Sequence, residues 1–470
     1  MADSFQLNLD RSAKTPLAEQ IRRAIGTAIE SGVLAPGARL PSWQDLAAQL
    51  GVARGTVRIA YEKLAAAQLI VASRATGTHV ADRPRADPRP DRQPDPGSFM
   101  ATYQEMTHGP ALFQMGVPAT ETFPATLLAR IRANAIRAEV SAPPIYPDPR
   151  GELDLRREVA AYLAIARGIE CAPSQILITG GYASGLGLAL RVLGLEGQTA
   201  WIEDPAFPFT RHGLALARMS LAPIPVDASG IDVDYGLRNF PEAKLAVVTP
   251  GQQAPLGVTL SLERRLRLLD WAVQQGAWVI EDDYLSELQL NGRAAPALAS
   301  LDRDGCVVHI GSFSKTISPA LRLGFLVAPA PLVSRFNEVA ACLAPPPGPS
   351  TQLAIAEFMR EGHYMRHLRR TKRAYSAKRD ALIECLRPHG VAAGVTVAGL
   401  AALLRLPDGT PDITIVRECL SFGMAPSPLS AWYASPPQRQ SGLLLGIATT
   451  PGKYLAASCD RLCGVIQRFT

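Results

Sequence analysis

Residues 307–315 decide the fold of most of this chain, and they read VVHIGSFSK. The apolar run at residues 307–310 has the length of a buried strand, and the glycine and serines after it predict a loop at the strand's end. Lys315 then stands in that loop. An isolated lysine is nearly always a surface charge, but a lysine between small hydroxyl residues and an apolar segment is less ordinary.

Apolar runs of the same kind recur on both sides of this stretch. Each is followed by a polar or glycine-containing loop, and helical segments lie between several of them, including residues 184–193 and 262–275. Such alternation predicts an α/β domain with a mainly parallel sheet, whose ligand site lies at the carboxyl ends of the strands. Beyond Pro345, helix and strand return as a smaller α+β lobe. The other predicted strands are residues 175–179, 199–203, 244–249, 278–282 and 324–327.

The composition is that of a multidomain globular protein. The chain has 470 residues, of which 47% are hydrophobic and 19% charged, so it can bury a core in each of two or three domains. The formal net charge of +6 permits contact with phosphate backbones or acidic ligands but identifies neither.

Cysteine usage and hydropathy bound the compartment and exclude some kinds of site. Seven cysteines without a CxxC pair argue against a disulfide framework and a thiolate zinc site, and we expect no metal. No stretch is apolar enough to span a bilayer or to serve as a signal peptide. We therefore expect a cytoplasmic protein with no membrane partner.

The composition changes abruptly at residues 82–98. Five prolines alternate there with aspartate and arginine, and almost nothing apolar is present to bury. Proline removes a backbone donor and favours extended polyproline II, so this segment predicts a semi-rigid linker. We expect a small domain at residues 12–80, the linker at residues 81–108, and a large domain at residues 109–470. Its large lobe runs to about residue 345, and its small lobe covers residues 346–470.

The small part has the pattern of a winged helix-turn-helix, an α+β unit. Three apolar-periodic segments predict helices, and a run with a central Thr76-Gly77-Thr78 predicts a hairpin wing. The predicted helices are residues 16–31, 43–50 and 53–67, and the wing is residues 71–80. The side chains expected to face inward are Leu46, Ala47, Val57, Ala60, Tyr61 and Leu64.

The third helix begins with residues suited to nucleic acid. Arg54, Thr56 and Arg58 stand where a recognition helix needs cationic and hydroxyl groups for phosphates and base edges. A solvated helix face is the alternative explanation for three such residues.

The residues at two other strand ends, together with Lys315, are of the types that bind pyridoxal 5′-phosphate (PLP). This cofactor needs a lysine amine, a carboxylate opposite its pyridine nitrogen, donors for its phosphate and an aromatic face. Residues 281–284, Glu-Asp-Asp-Tyr, supply carboxylates, and residues 179–184, Thr-Gly-Gly-Tyr-Ala-Ser, lead into a helix whose first N–H groups can hold a phosphate. Taken singly, an acidic strand end is often a helix cap, and a glycine pair before a helix is weak evidence.

The small part resembles the winged helix of GntR-type regulators over almost all of residues 12–80. The matching segments are Pro16-Leu17, Gly32-x-Leu34-x-x-Gly37-x-x-Leu40-Pro41-Ser42, Leu46-Ala47, Leu50-Gly51-Val52-Ala53-Arg54-x-Thr56-Val57, Ala60-Tyr61 and Gly77-Thr78. The resemblance implies DNA contacts by Ser42, Arg54, Thr56, Arg58, Gly77 and Thr78. Ala53 stands where the family usually has serine, and Gln44 where it often has arginine, so we expect an altered set of phosphate contacts.

The large part resembles the fold-type I aminotransferases, and with the winged helix ahead of it the chain resembles the MocR branch of the GntR family. The resemblance spans about residues 110–330 and includes residues 146–151, 203–205 and 249–257. It implies PLP as cofactor. It makes Lys315 the Schiff-base lysine, Asp282 the partner of the pyridinium nitrogen and Tyr284 the partner of the phenolic oxygen. The remaining implied cofactor contacts are Phe207 on the ring face, Gln253, and for the phosphate Tyr182, Ala183, Ser184, Ser312, Ser314 and Arg322.

Several departures from the family pattern bear on the ligand. The family usually has tyrosine in place of Phe207, glutamine near Ser184 and histidine in place of Gln252. Leu444-Leu445-Gly446-Ile447 stand where aminotransferases often carry an arginine for the substrate carboxylate. Arg439 is the nearby candidate for binding an effector, and a surface charge is the alternative for it.

The resemblance implies a PLP-dependent transcriptional regulator that senses an amine, an amino acid or a PLP vitamer through the Lys315 aldimine. It implies a homodimer, head to tail, on paired half-sites of double-stranded DNA. A catalytically active aminotransferase with an accessory DNA-binding domain is the alternative, and steady-state turnover with an amino donor and a keto acid distinguishes the two. A degenerate PLP fold used only for dimerisation is a third possibility, which predicts no visible absorbance from bound cofactor.

Overall fold

The computed structural model of the chain describes residues 7, 9–13, 15–73, 77–81, 104, 111–285, 288–290, 294–389, 394–450 and 452–469. The chain divides into two compact units, Met1–Pro96 and Gly97–Thr470. This division falls inside the predicted linker. Residues 82–103 and 105–108 lie outside the described residues, so the linker and the domain boundaries stay predictions.

The first unit is a three-helix core with a small sheet. The helices are α1 (Leu17–Glu30), α2 (Trp43–Leu50) and α3 (Arg54–Ala66), and their apolar faces meet because buried residues recur at helical spacing. The six side chains predicted to face inward are all buried. The sheet has the order β1 (Arg39–Leu40), β3 (Gly77–Val80), β2 (Ile70–Ser73), and all its pairs are antiparallel. Of the predicted wing, residues 74–76 lie outside the described part.

Ser42 fixes where the second helix begins. Its hydroxyl accepts a hydrogen bond of 3.1 Å from the Asp45 amide and donates one of 2.7 Å to the Asp45 carboxylate. An N-cap of this kind satisfies an amide that the helix itself leaves without a partner. Ser42, predicted as a DNA contact, therefore also has a structural role.

The second unit is built on an eight-stranded mixed sheet with the order β4-β11-β10-β9-β8-β5-β6-β7. Strands β10, β9, β8, β5 and β6 are parallel to their neighbours in turn, whereas β11 is antiparallel to both β10 and β4. Carboxyl ends of parallel strands meet at one edge, which gathers the loops after them. The strands are β4 (Ile176–Thr179), β5 (Thr199–Asp204), β6 (Ser220–Asp227), β7 (Gly230–Ile231), β8 (Leu245–Val248), β9 (Trp278–Asp283), β10 (Val307–Ser312) and β11 (Gly324–Val327).

All six strands predicted for the large lobe are present, and helices connect them. A smaller antiparallel sheet follows, with the order β12 (Val395–Ala398), β13 (Ala401–Arg405), β15 (Gly442–Gly446), β14 (Ser427–Pro428). None of the helices in the described part of the chain is long and apolar enough to cross a membrane. The helices of this unit are Ala125–Ser141, Leu153–Arg167, Tyr182–Leu193, Pro208–Leu216, Val233–Asn239, Leu262–Gln275, Val333–Leu343, Pro349–Arg360, His363–Leu386, Asp412–Leu420 and Leu455–Ile466.

A buried carboxyl joins two of the strand ends. Glu203, near the end of β5, accepts hydrogen bonds from the Thr249 hydroxyl at 2.5 Å, the Thr249 amide at 3.2 Å and the Gln253 side chain at 3.3 Å. Burial raises the pKa of Glu203 to about 7, although these hydrogen bonds act in the opposite direction. The loop after β8 is thus tied to β5 through a group that titrates near neutrality.

Glu203→Gln should make the large unit more stable than the wild type at neutral and alkaline pH, with a gain that grows as the pH rises from 4.5 to about 7. The raised pKa means that the stability contributed by the neutral carboxyl is complete below pH 4.5 and is lost as the pH rises through about 7. We expect the variant to gain about 1–3 kcal/mol over the wild type between pH 5 and pH 8 in urea unfolding. The exposed Glu242→Gln is the control, and a gain that does not change with pH would contradict the assignment.

Candidate cofactor and DNA-binding sites

Lys315 lies three residues beyond the end of β10. Its Nζ donates a hydrogen bond of 2.8 Å to the carbonyl oxygen of Gly116. Gly116 has φ +75°, and a Cβ there would stand 2.6 Å from Nζ, so another residue would strain the turn and displace the amine from this position. Burial lowers the pKa of Lys315, and the Asp282 carboxylate partly offsets this.

Asp282 lies on the strand next to Lys315, where it pairs with Ile310 of β10 in parallel register. It is 6% exposed, and no hydrogen bond to its carboxylate is present in the described part of the chain. Burial and then the Asp283 and Glu203 carboxylates raise the pKa of Asp282 well above its usual value, while Lys315 lowers it. A buried carboxylate of this kind calls for a cationic partner.

The carboxylates on either side of Asp282 already have partners. Asp283 pairs with Arg167 at 2.7 Å, and Glu281 pairs with His309 at 2.9 Å and accepts the amides of Leu298 and Ala299. Burial opposes the charge on His309, but Glu281 raises its pKa, with Asp283 acting in the same direction. These interactions fix the backbone of β9 and leave Asp282 as the carboxylate that faces the site.

Tyr284 and Phe207 stand beside these groups. Burial, with a contribution from Asp282, raises the pKa of Tyr284, so its hydroxyl stays protonated and can donate a hydrogen bond. The Phe207 ring lies 6.4 Å from the Tyr182 ring and 5.8 Å from the Trp432 indole, between centroids. Both Tyr284 and Phe207 pack against one apolar cluster, whose buried members are Ala254, Ala398, Ala401, Leu403, Leu429, Trp432, Tyr433 and Leu444.

The predicted phosphate contacts come together at a helix N-terminus. Tyr182, Ala183 and Ser184 are the first residues of the helix Tyr182–Leu193, where amides have no partner within the helix and the helix dipole is positive. The Ser314 hydroxyl lies 3.9 Å from the point where a Cβ on Gly181 would stand. The Ser312 hydroxyl accepts the Ser314 amide at 3.2 Å.

Arg322, the remaining predicted phosphate contact, lies just before strand β11. Its side chain is exposed, its φ is +48°, and it precedes Gly324 by two residues. Gly324 pairs with Thr179 on one side and with Ser312 on the other. Strand β11, which follows Arg322, therefore lies between β4 and β10, and the predicted phosphate contacts follow β4 and end β10.

Two predicted contacts have surroundings of a different kind. The Gln253 side chain donates to Glu203, Pro205 and Ala254 and accepts the Leu256 amide, which occupies its polar atoms within its own loop. Arg439 is exposed. It acts electrostatically on Asp204, whose carboxylate accepts the amides of Ala434 and Ser435.

The residues present fit PLP. A half-buried amine, a buried carboxylate, a phenol and an aromatic ring lie close to one another, and a helix N-terminus that can bind a phosphate lies beside them. Lys315, Asp282, Tyr284 and Phe207 would hold the ring, and residues 182–184 with Ser312, Ser314 and Arg322 would hold the phosphate. PLP, when bound, supplies an aldehyde that bonds to amines and a ring that withdraws electrons.

The DNA-facing residues lie on the recognition helix and the wing of the first unit. Arg54 is exposed at the start of α3, and Thr56 is half-buried. Arg58 pairs with Glu62 at 3.5 Å. Gly77 begins β3, and Thr78 pairs with Leu40 and with Ala72.

Sequence reasoning missed three residues of these sites. The Arg39 guanidinium lies 3.5 Å from the point where a Cβ on Gly77 would stand, which adds a cation to the wing. Its strand has two residues, too few for an alternating pattern to reveal. Gly116 contacts Lys315 across a separation of 199 residues, and Arg167 contacts Asp283 across a separation of 116 residues. No local sequence pattern indicates contacts over such separations.

Both parts of the chain match known families. Residues 17–80 match the bacterial regulatory proteins of the gntR family, and residues 112–412 match aminotransferase class I and II. The probable rhizopine catabolism regulatory protein MocR of Rhizobium meliloti is 33% identical, over 97% of this chain and 95% of that protein. The pyridoxine biosynthesis transcriptional regulator PdxR of Corynebacterium glutamicum is also 33% identical, over 80% of this chain and 79% of its own length.

Solved structures share the fold of the large domain. The kynurenine aminotransferase of Pyrococcus horikoshii superposes with a TM-score of 0.71 at 22% identity, over 80% of this chain and 95% of that chain. LysN, the α-aminoadipate aminotransferase of Thermus thermophilus, complexed with N-(5′-phosphopyridoxyl)-L-leucine, gives a TM-score of 0.69 at 27% identity, over 78% and 95% of the two chains. The chain therefore belongs to the MocR-type transcriptional regulators of the GntR family, which bind DNA through a winged helix-turn-helix and carry an aminotransferase class I and II domain with pyridoxal 5′-phosphate as cofactor.

Proposed function

We propose that the large domain senses a small amine, an amino acid or PLP itself at Lys315, and that this changes how the winged helices bind an operator. The observation that carries the proposal is that the half-buried Lys315 and the buried Asp282 lie at the ends of adjacent strands, close enough to affect each other's pKa. A ligand can shift DNA binding only if it binds two arrangements of the protein with different affinity. A cytoplasmic location follows from the DNA partner.

The side chains of the site have separate tasks in this proposal. The lowered pKa of Lys315 leaves more of its amine neutral, and a neutral amine is the form that attacks a carbonyl carbon. Asp282 would keep a proton on the ring nitrogen of the cofactor. The pKa of Tyr284 is raised, so its hydroxyl keeps its proton and would donate a hydrogen bond to the phenolic oxygen of the cofactor.

Lys315→Ala should lose covalently held cofactor because no other amine replaces Nζ. We expect the purified variant to lack the visible absorbance of attached PLP, to resist fixation of PLP by borohydride, and to bind its operator without responding to effector. Lys244→Ala is the matched control, since the Lys244 amine lies at the surface and donates to the Gln275 carbonyl. Fixation of PLP onto the Lys315→Ala variant would contradict the assignment.

We propose that the chain forms a head-to-tail homodimer through an apolar patch on the large domain. Ile136 and Val140 lie four residues apart on one face of the helix Ala125–Ser141 and are 48% and 79% exposed. Ile145 and Tyr146 follow that helix and are 79% and 99% exposed. A contiguous exposed apolar patch favours burial against a partner, and a second copy would also bring two winged helices to paired half-sites.

Val140→Asp should weaken this dimer because association would bury a carboxylate. We expect the dimer dissociation constant, measured by light scattering across a dilution series, to rise at least about tenfold. Leu216→Asp, which alters a separate side chain that is 75% exposed, should leave the dissociation constant unchanged. An unchanged dimer in Val140→Asp would exclude this patch as the interface.

Arg54→Ala should reduce the electrostatic part of operator binding. Each phosphate neutralised by a protein cation releases counterions, so we expect lower affinity and a salt slope that is shallower by about one phosphate equivalent. Fluorescence anisotropy with the mapped operator across a salt series measures both. Arg23→Ala, which removes an exposed arginine paired with Glu19, is the control. An unchanged slope in Arg54→Ala would assign Arg54 to the solvated surface.

A further inference from the structure

Gln252 has a buried amide for which the described part of the chain offers no hydrogen-bond partner. It lies in the loop after β8 and is only 5% exposed. Its Oε1 atom is fully buried and accepts no hydrogen bond. Leaving a buried acceptor without a partner is costly, and native proteins do so at few positions. The neighbouring Gln253, by contrast, uses its amide within the loop.

The Gln252 amide oxygen and the Tyr284 hydroxyl lie close to the same glycine of the small lobe. Gly399, in the turn between β12 and β13, has φ +64°. The point where a Cβ on Gly399 would stand is 3.1 Å from Gln252 Oε1 and 3.6 Å from the Tyr284 oxygen. Because Gly399 has no Cβ, the Gln252 amide and the Tyr284 hydroxyl can both lie against this turn of the small lobe.

The charges around this space disfavour a carboxylate ligand. Among the described residues, the charges that shift the pKa of Tyr284 are the carboxylates of Asp282, Asp283 and Glu203. Lys315 is the cation that acts on Asp282. The remaining wall is apolar, because Tyr284 packs against the cluster that contains Leu403, Leu429 and Leu444.

Two arginines, Arg211 and Arg439, act on the Asp204 carboxylate. Arg211 donates to the carbonyl oxygens of Trp432 and Ala431 at 3.1 Å and interacts with Asp204. Arg439 is exposed and acts on the same Asp204 carboxylate. The space beside Tyr284 therefore combines carboxylates, apolar side chains and one neutral amide.

We propose that Gln252 selects the effector, and that the effector is a primary amine that bears a hydroxyl group and no carboxylate. The inference rests on the proposed function, because the amine is the part of the ligand that would be read at Lys315. A hydroxyl both donates and accepts, so it would satisfy Oε1 and Nε2 of the amide at once. Loss of such a hydrogen bond at a buried polar group lowers affinity by about tenfold.

The test compares three probe amines of the same chain length by titrating the absorbance of the PLP-loaded full-length protein. These are 3-amino-1-propanol, propylamine and β-alanine. We expect half-saturation at the lowest concentration for 3-amino-1-propanol, at about tenfold higher concentration for propylamine, and higher still for β-alanine. In Gln252→Leu, the half-saturating concentration of 3-amino-1-propanol should rise to that of propylamine. Gln274→Leu, which alters an exposed glutamine on the helix Leu262–Gln275, should keep the wild-type order.

Several results would overturn the proposal. Half-saturation at a lower concentration of β-alanine than of 3-amino-1-propanol would show a site that binds a carboxylate. If Gln252→Leu still binds 3-amino-1-propanol more tightly than propylamine, the hydroxyl contact belongs to another residue. Loss of cofactor absorbance in Gln252→Leu would make Gln252 a cofactor contact. If no amine shifts the absorbance while borohydride still fixes PLP to Lys315, effector selection fails but cofactor attachment stands. If borohydride fails as well, the proposed function itself is wrong.

Discussion

The desolvation of one half-buried amine beside one buried carboxylate is the constraint on which the large domain depends. Lys315 and Asp282 lie at the ends of neighbouring parallel strands, where little water screens them. Burial lowers the pKa of the amine and raises the pKa of the carboxyl, so both are held nearer to their neutral forms than in water. The surrounding fold must hold these two groups in register despite that cost.

The neighbouring ion pairs make that placement possible. Arg167 pairs with the carboxylate of Asp283, and His309 pairs with that of Glu281. These pairs reduce the repulsion among the three consecutive acids, residues 281–283, that end β9. Removing one partner from a buried pair leaves an uncompensated charge. These side chains therefore act on the site through the backbone of β9, although none of them is expected to touch the cofactor.

The sequence predicts those parts of the molecule that depend on local pattern. The apolar runs before Lys315 and Asp282 predict strands that the structure contains, and the helix predicted over residues 184–193 is present but begins two residues earlier, at Tyr182. Strand β6 escaped prediction because Pro223 and Pro225 lie within it, and proline usually argues against a strand away from a sheet edge. The Lys315–Gly116 contact and the placement of Gln252 beside Gly399 depend on chain packing over long separations, which no local pattern encodes.

The hydrogen bond from Lys315 to the Gly116 carbonyl also has a mechanical meaning. The segment that carries Gly116 is held by Phe113, whose carbonyl accepts the Gly446 amide at 2.7 Å, and by Leu112, which bridges to Met424. A nitrogen bonded to a second carbon has fewer hydrogens to donate, so the Gly116 carbonyl must exchange its donor whenever Nζ becomes attached. Attachment of the amine would therefore change the hydrogen bonding of the segment that carries Gly116.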